Sequence, residues 1–262
     1  MSAWVWILLG AVYFLLPLFA TFLFSIKNKL TGKCCSLSPY GVIVHDPEFW
    51  HTFSLSLVLS LETIALALVL FVPTIYWVHL KLPRLRPVIS FLALTPFVVP
   101  PIILVVGLLK FYKDTLHAPF WFLDNPHWFL VAAYVILAFP FVFFSLDAGF
   151  RAIDVHTLTE ASQSLGAGWM TTLGRVILPN IRSAALAGSF LTLAIVMGEF
   201  TIASLSAFHT FPIYIQAVNE SEAYPAAAVT VMSFGITWAA MLSLLLVGRK
   251  RGTRAAVIAG VR

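Results

Sequence analysis

The residues in this sequence that could do chemistry are few and scattered. Two carboxylic acids, Glu62 and Glu199, stand inside long apolar runs, where a charge is costly unless it faces water or protein. The seven histidines occupy loops and run ends, and no two share a helical i, i+4 face with an acid, so the pattern argues against a metal site. Cys34 and Cys35 are adjacent, which is neither a disulfide framework nor metal-ligand spacing. No Ser-His-Asp or Cys-His order indicates hydrolysis.

A nucleotide-binding phosphate loop is also missing from the sequence. That motif reads G-x-x-x-x-G-K-[ST], and its final hydroxyl holds magnesium. The nearest match is Gly32-Lys33-Cys34, which lacks the hydroxyl. We therefore expect this chain to bind no cofactor and to carry no ATPase site of its own.

The composition places the chain in a membrane. Hydrophobic residues make up 60% of it and charged residues 10%, whereas a soluble domain usually carries about 25% charged residues. The mean hydropathy is +0.95. The net charge of +5 does not indicate nucleic-acid binding, because the basic residues lie between apolar runs and form no face among aromatic side chains. They report membrane orientation instead.

Six apolar runs are long enough to cross a bilayer, which takes ~20 residues. They cover residues 3–26, 52–78, 88–112, 128–150, 183–207 and 224–248. The first run is too long for the apolar part of a signal peptide and has no basic leader. Uninterrupted runs of this length favour helices over barrel strands. The sequence therefore predicts an all-α membrane protein with six transmembrane helices in a single transmembrane domain, 1–262.

The distribution of Lys and Arg predicts which way these helices face. Eleven of the 16 basic residues lie on one set of connections and five on the other, so the first set and both termini are expected in the cytoplasm. The loop 151–182 then lies in the cytoplasm. Three lysines after the first run, Lys27, Lys29 and Lys33, oppose this orientation but are outnumbered. Asp147, near the cytoplasmic end of the fourth run, is expected to be solvated.

That cytoplasmic loop contains the stretch EASQSLGAGWMTTLGRVILP, residues 160–179, which is polar and rich in glycine. Thr157 and Glu160 have the T-x-x-E spacing of a capping box, which predicts a short helix from near Leu158. Gly166 is placed for a left-handed cap at the end of that helix.

A second short helix is expected from Trp169 to about Ile177. Pro179 then suits the first turn of the next membrane helix, where its missing N–H would have no partner anyway. Two short helices meeting at a glycine corner are suited to docking on a protein. An amphipathic segment lying on the membrane surface is the alternative.

The spacing of these residues resembles the EAA loop of binding-protein-dependent ABC importer permeases. The family pattern is E-A-A, three residues, G, nine residues, then I-x-L-P. This chain departs from it twice, with Ser162 for the third alanine and Val176 for the isoleucine. The residues at the pattern positions are Glu160, Ala161, Ser162, Gly166, Val176, Leu178 and Pro179.

The resemblance implies a role for the loop and a set of partners. In that family the loop is a coupling helix that fits a cleft on an ATPase subunit, and the ATPase subunits bind the ATP and magnesium. A second permease subunit, an extracytoplasmic solute-binding protein and the bilayer of a bacterial cytoplasmic membrane complete the assembly. The implied mechanism is alternating access, in which closure of the ATPase subunits draws the loops together and opens the pathway outward.

Four further residues are candidates for the solute pathway. Pro100 and Pro101 lie with Pro96 in the third run, LTPFVVPPIILVVGL, where they predict either a kink or a broken helix lining the pathway. This pattern resembles the permease subgroup that imports polyamines, ferric iron, thiamine and some oxyanions. Glu199 and Glu62 are the other two candidates; each is either a pathway carboxylate or a buried, protonated or paired one.

Several functions stay open at this point. A polyamine permease is the first, and a permease for ferric iron, thiamine or an oxyanion is the alternative within the family. A proton-coupled secondary carrier using Glu62 or Glu199 is an alternative from another class, although it leaves the loop unexplained. A membrane-embedded enzyme would need a catalytic set facing one interface, and the sequence shows none.

Overall fold

The computed structural model describes residues 3–27, 36–111, 126–221 and 223–258. Within these ranges the regular structure is helical throughout, which confirms the predicted all-α class. Cys34, Cys35 and the predicted end of the third run at Tyr112 lie outside the described residues.

The helices differ widely in length, from three residues to 36. A 3₁₀ turn, Pro83–Leu85, precedes α4, and a π-helical stretch, Thr172–Ile177, separates α9 from α10. In chain order the helices are α1 Ala3–Ser25, α2 Ser38–Val44, α3 Pro47–Lys81, α4 Arg86–Ala93, α5 Thr95–Val98, α6 Pro101–Lys110, α7 Pro126–Arg151, α8 Val155–Ser164, α9 Trp169–Thr171, α10 Leu178–Asn180, α11 Arg182–Gly198, α12 Thr201–Leu205, α13 Phe211–Ser221 and α14 Ala223–Ile258.

Three helical segments are each long and apolar enough to cross a membrane: Trp4–Ser25, Pro47–Lys81 and His127–Arg151. Two bent pairs add one span each if the pair is counted together. Pro83–Val98 with Pro101–Lys110 is bent by 104°, and Trp169–Asn180 with Arg182–Gly198 by 77°. The described residues therefore give three to five spans. The sixth predicted run lies on α14, which is not among these candidate spans. Six spans and cytoplasmic termini therefore stay predictions.

The third run is broken. Val99 and Pro100 have extended backbone, with ψ of 116° and 140°, between α5 and α6. Helical hydrogen bonds continue up to the break on both sides: the Val99 N–H donates to the Thr95 carbonyl at 3.0 Å, and the Pro100 carbonyl accepts from the Leu104 N–H at 3.1 Å. The structure therefore has a broken helix at these prolines, and their position in the solute pathway stays a prediction.

The fifth run is interrupted as well. Its helix α11 ends at Gly198, and Glu199 has extended backbone with ψ of 115° before α12 begins. The turn after α12 places Ala207 in the left-handed conformation, with φ of +54°. A continuous helix over 183–207 was expected, so the position of Glu199 differs from that prediction.

The chain forms two compact units, one made of residues 1–55 with 209–240 and the other of 56–208 with 241–262. In the first, an aromatic cluster of Phe49, Phe53, Phe211 and Tyr214 packs by ring contacts of 5.3–6.3 Å. The Tyr214 hydroxyl donates to the Asp46 carboxylate at 2.7 Å. Burial, with this bond and the nearby negative charge, raises the pKa of Tyr214.

In the second unit, membrane helices and the loop 151–182 share one hydrophobic core. Close approach of α7 and α11 depends on small residues. A Cβ on Gly149 would overlap the Ala184 side chain, and one on Gly188 would lie 3.2 Å from the Val142 Cα. The core comprises Ala67, Val72, Ile75 and Tyr76 of α3, Ala93 of α4, Ala138, Val142, Phe143, Leu146 and Phe150 of α7, Val155, Leu173, Ile177 and Ile181 of the loop, and Ala185 of α11.

Candidate functional site

The first helix of the loop is capped differently from the prediction. The expected capping box of Thr157 and Glu160 is wrong, because α8 begins at Val155 with Asp154 as its cap. The Thr157 hydroxyl donates to Asp154 at 2.7 Å and the Thr157 N–H at 3.1 Å. These two bonds hold the pKa of Asp154 below its ordinary value. The cap therefore starts the helix three residues earlier than expected.

Gly166 forms the corner of the loop. Its φ is +82°, a left-handed conformation that glycine adopts without steric cost. The Gly166 N–H donates to the Gln163 carbonyl at 2.9 Å and the Ala167 N–H to the Ser162 carbonyl at 3.1 Å. This pair of bonds is a Schellman motif. The left-handed cap predicted at Gly166 is confirmed.

The second arm of the loop runs from Trp169 through the π-helical stretch to Asn180. A buried hydrogen bond joins it to the first arm, between the hydroxyls of Ser162 and Thr172 at 2.9 Å. Because the Thr172 hydroxyl also donates to the Gly168 carbonyl at 3.1 Å, it accepts from Ser162. Ser162, which replaces the family's alanine, therefore joins the two arms by a hydrogen bond.

The loop has one face in the core and one face open. Its tip exposes apolar surface, since Leu165 is 89% and Met170 68% exposed. Of the seven predicted coupling residues, Ser162 is buried and Val176 half-buried. The exposed ones are Glu160, Ala161, Gly166, Leu178 and Pro179.

The loop is attached to the end of α3 by two polar or aromatic contacts. The Tyr76 hydroxyl lies 3.1 Å from the Thr159 hydroxyl in a buried hydrogen bond. The rings of Trp77 and Trp169 are 6.3 Å apart. Together with the shared core, these contacts fix both arms of the loop on the membrane helices.

Asp147 is buried, and its predicted solvation is wrong. It is 2% exposed. Arg86 donates to both carboxylate oxygens, from Nε at 2.8 Å and from Nη2 at 3.1 Å, and His79 Nε2 lies 2.9 Å from Oδ1. Arg151, one helical turn further along α7, donates to Oδ2. We call these four residues the Asp147 cluster. The two arginines explain how the carboxylate of Asp147 can be buried.

Glu62, a predicted pathway residue, is paired with His127. The two side chains are hydrogen-bonded through Oε2 and Nε2, and both are partly open, at 34% and 23% exposed. The imidazole lies beside Trp128, with ring centres 5.7 Å apart. The pair joins α3 to the first turn of α7.

Glu199 is 8% exposed and accepts backbone hydrogen bonds. The Ile202 N–H lies 2.9 Å from one carboxylate oxygen, and the Ala203 N–H lies 3.3 Å from the other. Its carboxylate therefore caps the start of α12. The Tyr134 hydroxyl of α7 is also hydrogen-bonded to it.

Glu62 and Glu199 each form a hydrogen bond with a residue of α7. His127 and Tyr134, their partners, are two helical turns apart and so lie on one face of that helix, separated by about 10 Å of rise. Pro100, which is exposed, and Pro101, which is half-buried, sit at the break before α6. Sequence reasoning missed His127 and Tyr134, because their spacing along the chain carries no signal of either contact.

A family comparison covers most of the chain. Residues 81–252 match the family described as "Binding-protein-dependent transport system inner membrane component". The match includes the whole loop 151–182.

Individual proteins are similar over shorter stretches. A "Probable molybdenum ABC transporter permease protein" of Haloferax volcanii is 29% identical over 184 residues, which is 68% of this chain and 62% of that protein. The "Spermidine/putrescine transport system permease protein PotB" of Escherichia coli strain K12 is 28% identical over 173 residues, 61% of this chain and 62% of that protein. The chain thus spans less than two thirds of either relative.

A solved structure, described as "Crystal structure of a bacterial ABC transporter involved in the import of the acidic polysaccharide alginate", has the same fold. The TM-score is 0.68 at 18% identity, covering 94% of this chain and 93% of that one. The likeness extends over nearly the entire chain.

Proposed function

The chain belongs to the family of binding-protein-dependent transport system inner membrane components, and we propose that it is the transmembrane subunit of an ATP-driven importer, forming the solute pathway. It is a multi-pass membrane protein. ATP and magnesium are bound by separate ATPase subunits, and a second permease subunit and an extracytoplasmic binding protein complete the complex in a bacterial cytoplasmic membrane.

The observation that carries this proposal is the construction of the loop. One face lies in the core of the membrane helices, so the loop cannot move without moving them. The opposite face presents Leu165 and Met170 to solvent at a rigid glycine corner. An exposed apolar tip on a polar segment is typical of a protein-docking surface. An ATPase subunit that grips this tip displaces the helices behind it.

The test of this proposal is the substitution Gly166→Asp in the assembled complex. An aspartate at φ of +82° strains the corner and places a charge on the docking tip, while no membrane helix is touched. We expect normal membrane insertion and assembly. The rate of ATP hydrolysis stimulated by the binding protein should fall at least about tenfold, which corresponds to a rise of about 1.4 kcal/mol in the activation free energy.

Gly41→Asp, at an exposed glycine on α2 with open space around it, is the matched control and should hydrolyse ATP normally. If the binding protein stimulated ATP hydrolysis in Gly166→Asp as strongly as in the unaltered chain, the loop would have no coupling role. Uptake that survives ATP depletion but collapses with the proton gradient would instead favour a secondary carrier.

For the solute we propose a polyamine. Glu62 supplies a partly open carboxylate on α3, and Trp128 beside its partner offers an aromatic face to an ammonium group. The similarity to PotB points the same way, and the similarity to the molybdenum permease points to an oxyanion. Uptake of radiolabelled spermidine and of radiolabelled molybdate by the reconstituted complex separates them. Molybdate uptake without spermidine uptake would overturn the polyamine assignment.

A further inference from the structure

The Asp147 cluster joins three membrane helices at one level. His79 lies in the last turn of α3, Arg86 is the first residue of α4, and Asp147 and Arg151 lie in the last turns of α7. Arg86 binds the carboxylate through two nitrogen atoms, a geometry that fixes orientation as well as distance. The cluster therefore sets how the ends of α3, α4 and α7 stand relative to one another.

The loop 151–182 starts at this cluster and packs on the end of α3. Arg151 is its first residue, and Tyr76 and Trp77 of α3 hold its two arms. The ring of His79 stacks on Phe150 at 5.4 Å, and Phe150 belongs to the core that contains Val155 of the loop. Any displacement of the loop reaches α3 and α7 directly through packed side chains.

The helix α4 has both an apolar and a polar link to this assembly, and its Ile89 packs against the shared core. It contributes Ala93 to the shared core, and its first residue, Arg86, is held by Asp147. Six residues beyond Ala93 the chain reaches the break at Val99 and Pro100. The orientation of α4 thus determines where the broken helix points.

We propose that Asp147 is a positioning residue that transmits movement of the loop to the broken third span, through its bidentate contact with Arg86. This inference rests on the proposed function, since it presumes that an ATPase subunit moves the loop. Removing the negative charge at Asp147 uncouples α4 from the loop while the docking tip remains intact.

The experiment uses the full complex with its ATPase subunits in proteoliposomes. Cys34 and Cys35 are replaced by serine, and Val98→Cys, a position 80% exposed beside the break, reports the state of the span. The labelling rate of this cysteine by N-ethylmaleimide is measured with and without vanadate-trapped nucleotide. ATP hydrolysis is measured on the same preparation.

In the otherwise unaltered chain, we expect trapping to change the labelling rate at least about threefold, a change of roughly 0.6 kcal/mol or more. In Asp147→Asn the labelling rate should become insensitive to trapping, while ATP hydrolysis stays within twofold of the unaltered chain. Asp147→Glu, which keeps the charge, should restore part of the response. Asp46→Asn alters a carboxylate in the other compact unit, and its labelling rate should change on trapping as much as in the unaltered chain.

Two arginines provide a comparison that does not depend on Asp147→Asn folding. Arg86→Gln breaks the contact between helices and should abolish the response. Arg151→Gln removes a contact within α7 and should reduce it less. A full response in Asp147→Asn or Arg86→Gln would overturn the inference, as would an unaltered chain that hydrolyses ATP without any change in labelling. If the ATPase subunits fail to assemble with the unaltered chain, the proposed function itself is wrong.

Discussion

The pair of helices α3 and α7 carries two acid–base contacts, and the two are built in opposite ways. Toward the first turn of α7, Glu62 of α3 meets His127 in one hydrogen bond, and both side chains are partly open. At the other end of α7, Asp147 meets His79 of α3 with two arginines added, and the carboxylate is closed off. A partly open pair can exchange its partner for a ligand, whereas a closed cluster holds helices in place. The same acid–base pairing is thus accessible to solvent at one end and closed off at the other.

The largest effect should follow from removing a partner at the closed end. Arg86→Met leaves a buried carboxylate with one arginine partner instead of two, and breaking a buried ion pair is strongly destabilising. We expect the free energy of unfolding to fall by about 3 kcal/mol, measured by denaturant titration of the purified chain in micelles. A loss below about 1 kcal/mol would mean that Asp147 is no better held than Glu62.

An intermediate effect is expected at Glu199, which is buried and whose partners among the described residues are N–H and O–H donors. Glu199→Gln keeps one oxygen for the Ile202 N–H and loses the other acceptor. We expect a loss of about 1 kcal/mol in the free energy of unfolding and spermidine uptake within about twofold of the unaltered chain. Uptake reduced tenfold at normal protein levels would instead support Glu199 as a pathway residue.

The smallest effect on stability should occur at the open end. Glu62→Gln retains a hydrogen-bonding partner for His127, and partly exposed ion pairs contribute little, so the free energy of unfolding should change by less than about 1 kcal/mol. Spermidine uptake should nevertheless fall about tenfold, because the counter-charge for an ammonium group is gone. His127→Gln is the control for loss of the pair with the carboxylate kept. Normal uptake in Glu62→Gln would show that this pair, too, is structural.

Much of the fold could be predicted from the sequence because bilayer thickness sets a minimum length for an apolar helix. The corner at Gly166 was also predictable, since a left-handed cap favours glycine. The start of α8 was not, because Asp154 and Thr157 offered competing caps within three residues. The break at Val99 and Pro100 was one of two expectations, because prolines interrupt a helix. The break at Glu199 was not expected, since it lies in an apolar run whose length alone suggested a continuous helix.

Of the contacts made by Asp147, only one left a local signal in the sequence. Arg151 lies four residues beyond it and was readable as a helical neighbour. His79 and Arg86 lie more than 60 residues away, and their approach depends on how α3, α4 and α7 pack. The prediction that Asp147 is solvated failed for that reason: its position near a helix end did not reveal the side chains that enclose it.

The turn that follows α12 repeats the turn at the loop corner, but with an alanine in the left-handed position. The Ala207 N–H donates to the Ser204 carbonyl at 3.2 Å and the Phe208 N–H to the Ala203 carbonyl at 3.0 Å, the same pair of bonds that Gly166 and Ala167 make. For an L-residue this conformation presses Cβ toward the next carbonyl and costs about 1 kcal/mol. The strain is stored in the folded chain and is released when the turn opens. The C-terminal end of α12 is therefore easier to unwind than a turn with the same hydrogen bonds that is closed by glycine. Glu199 caps the opposite, N-terminal end of this helix.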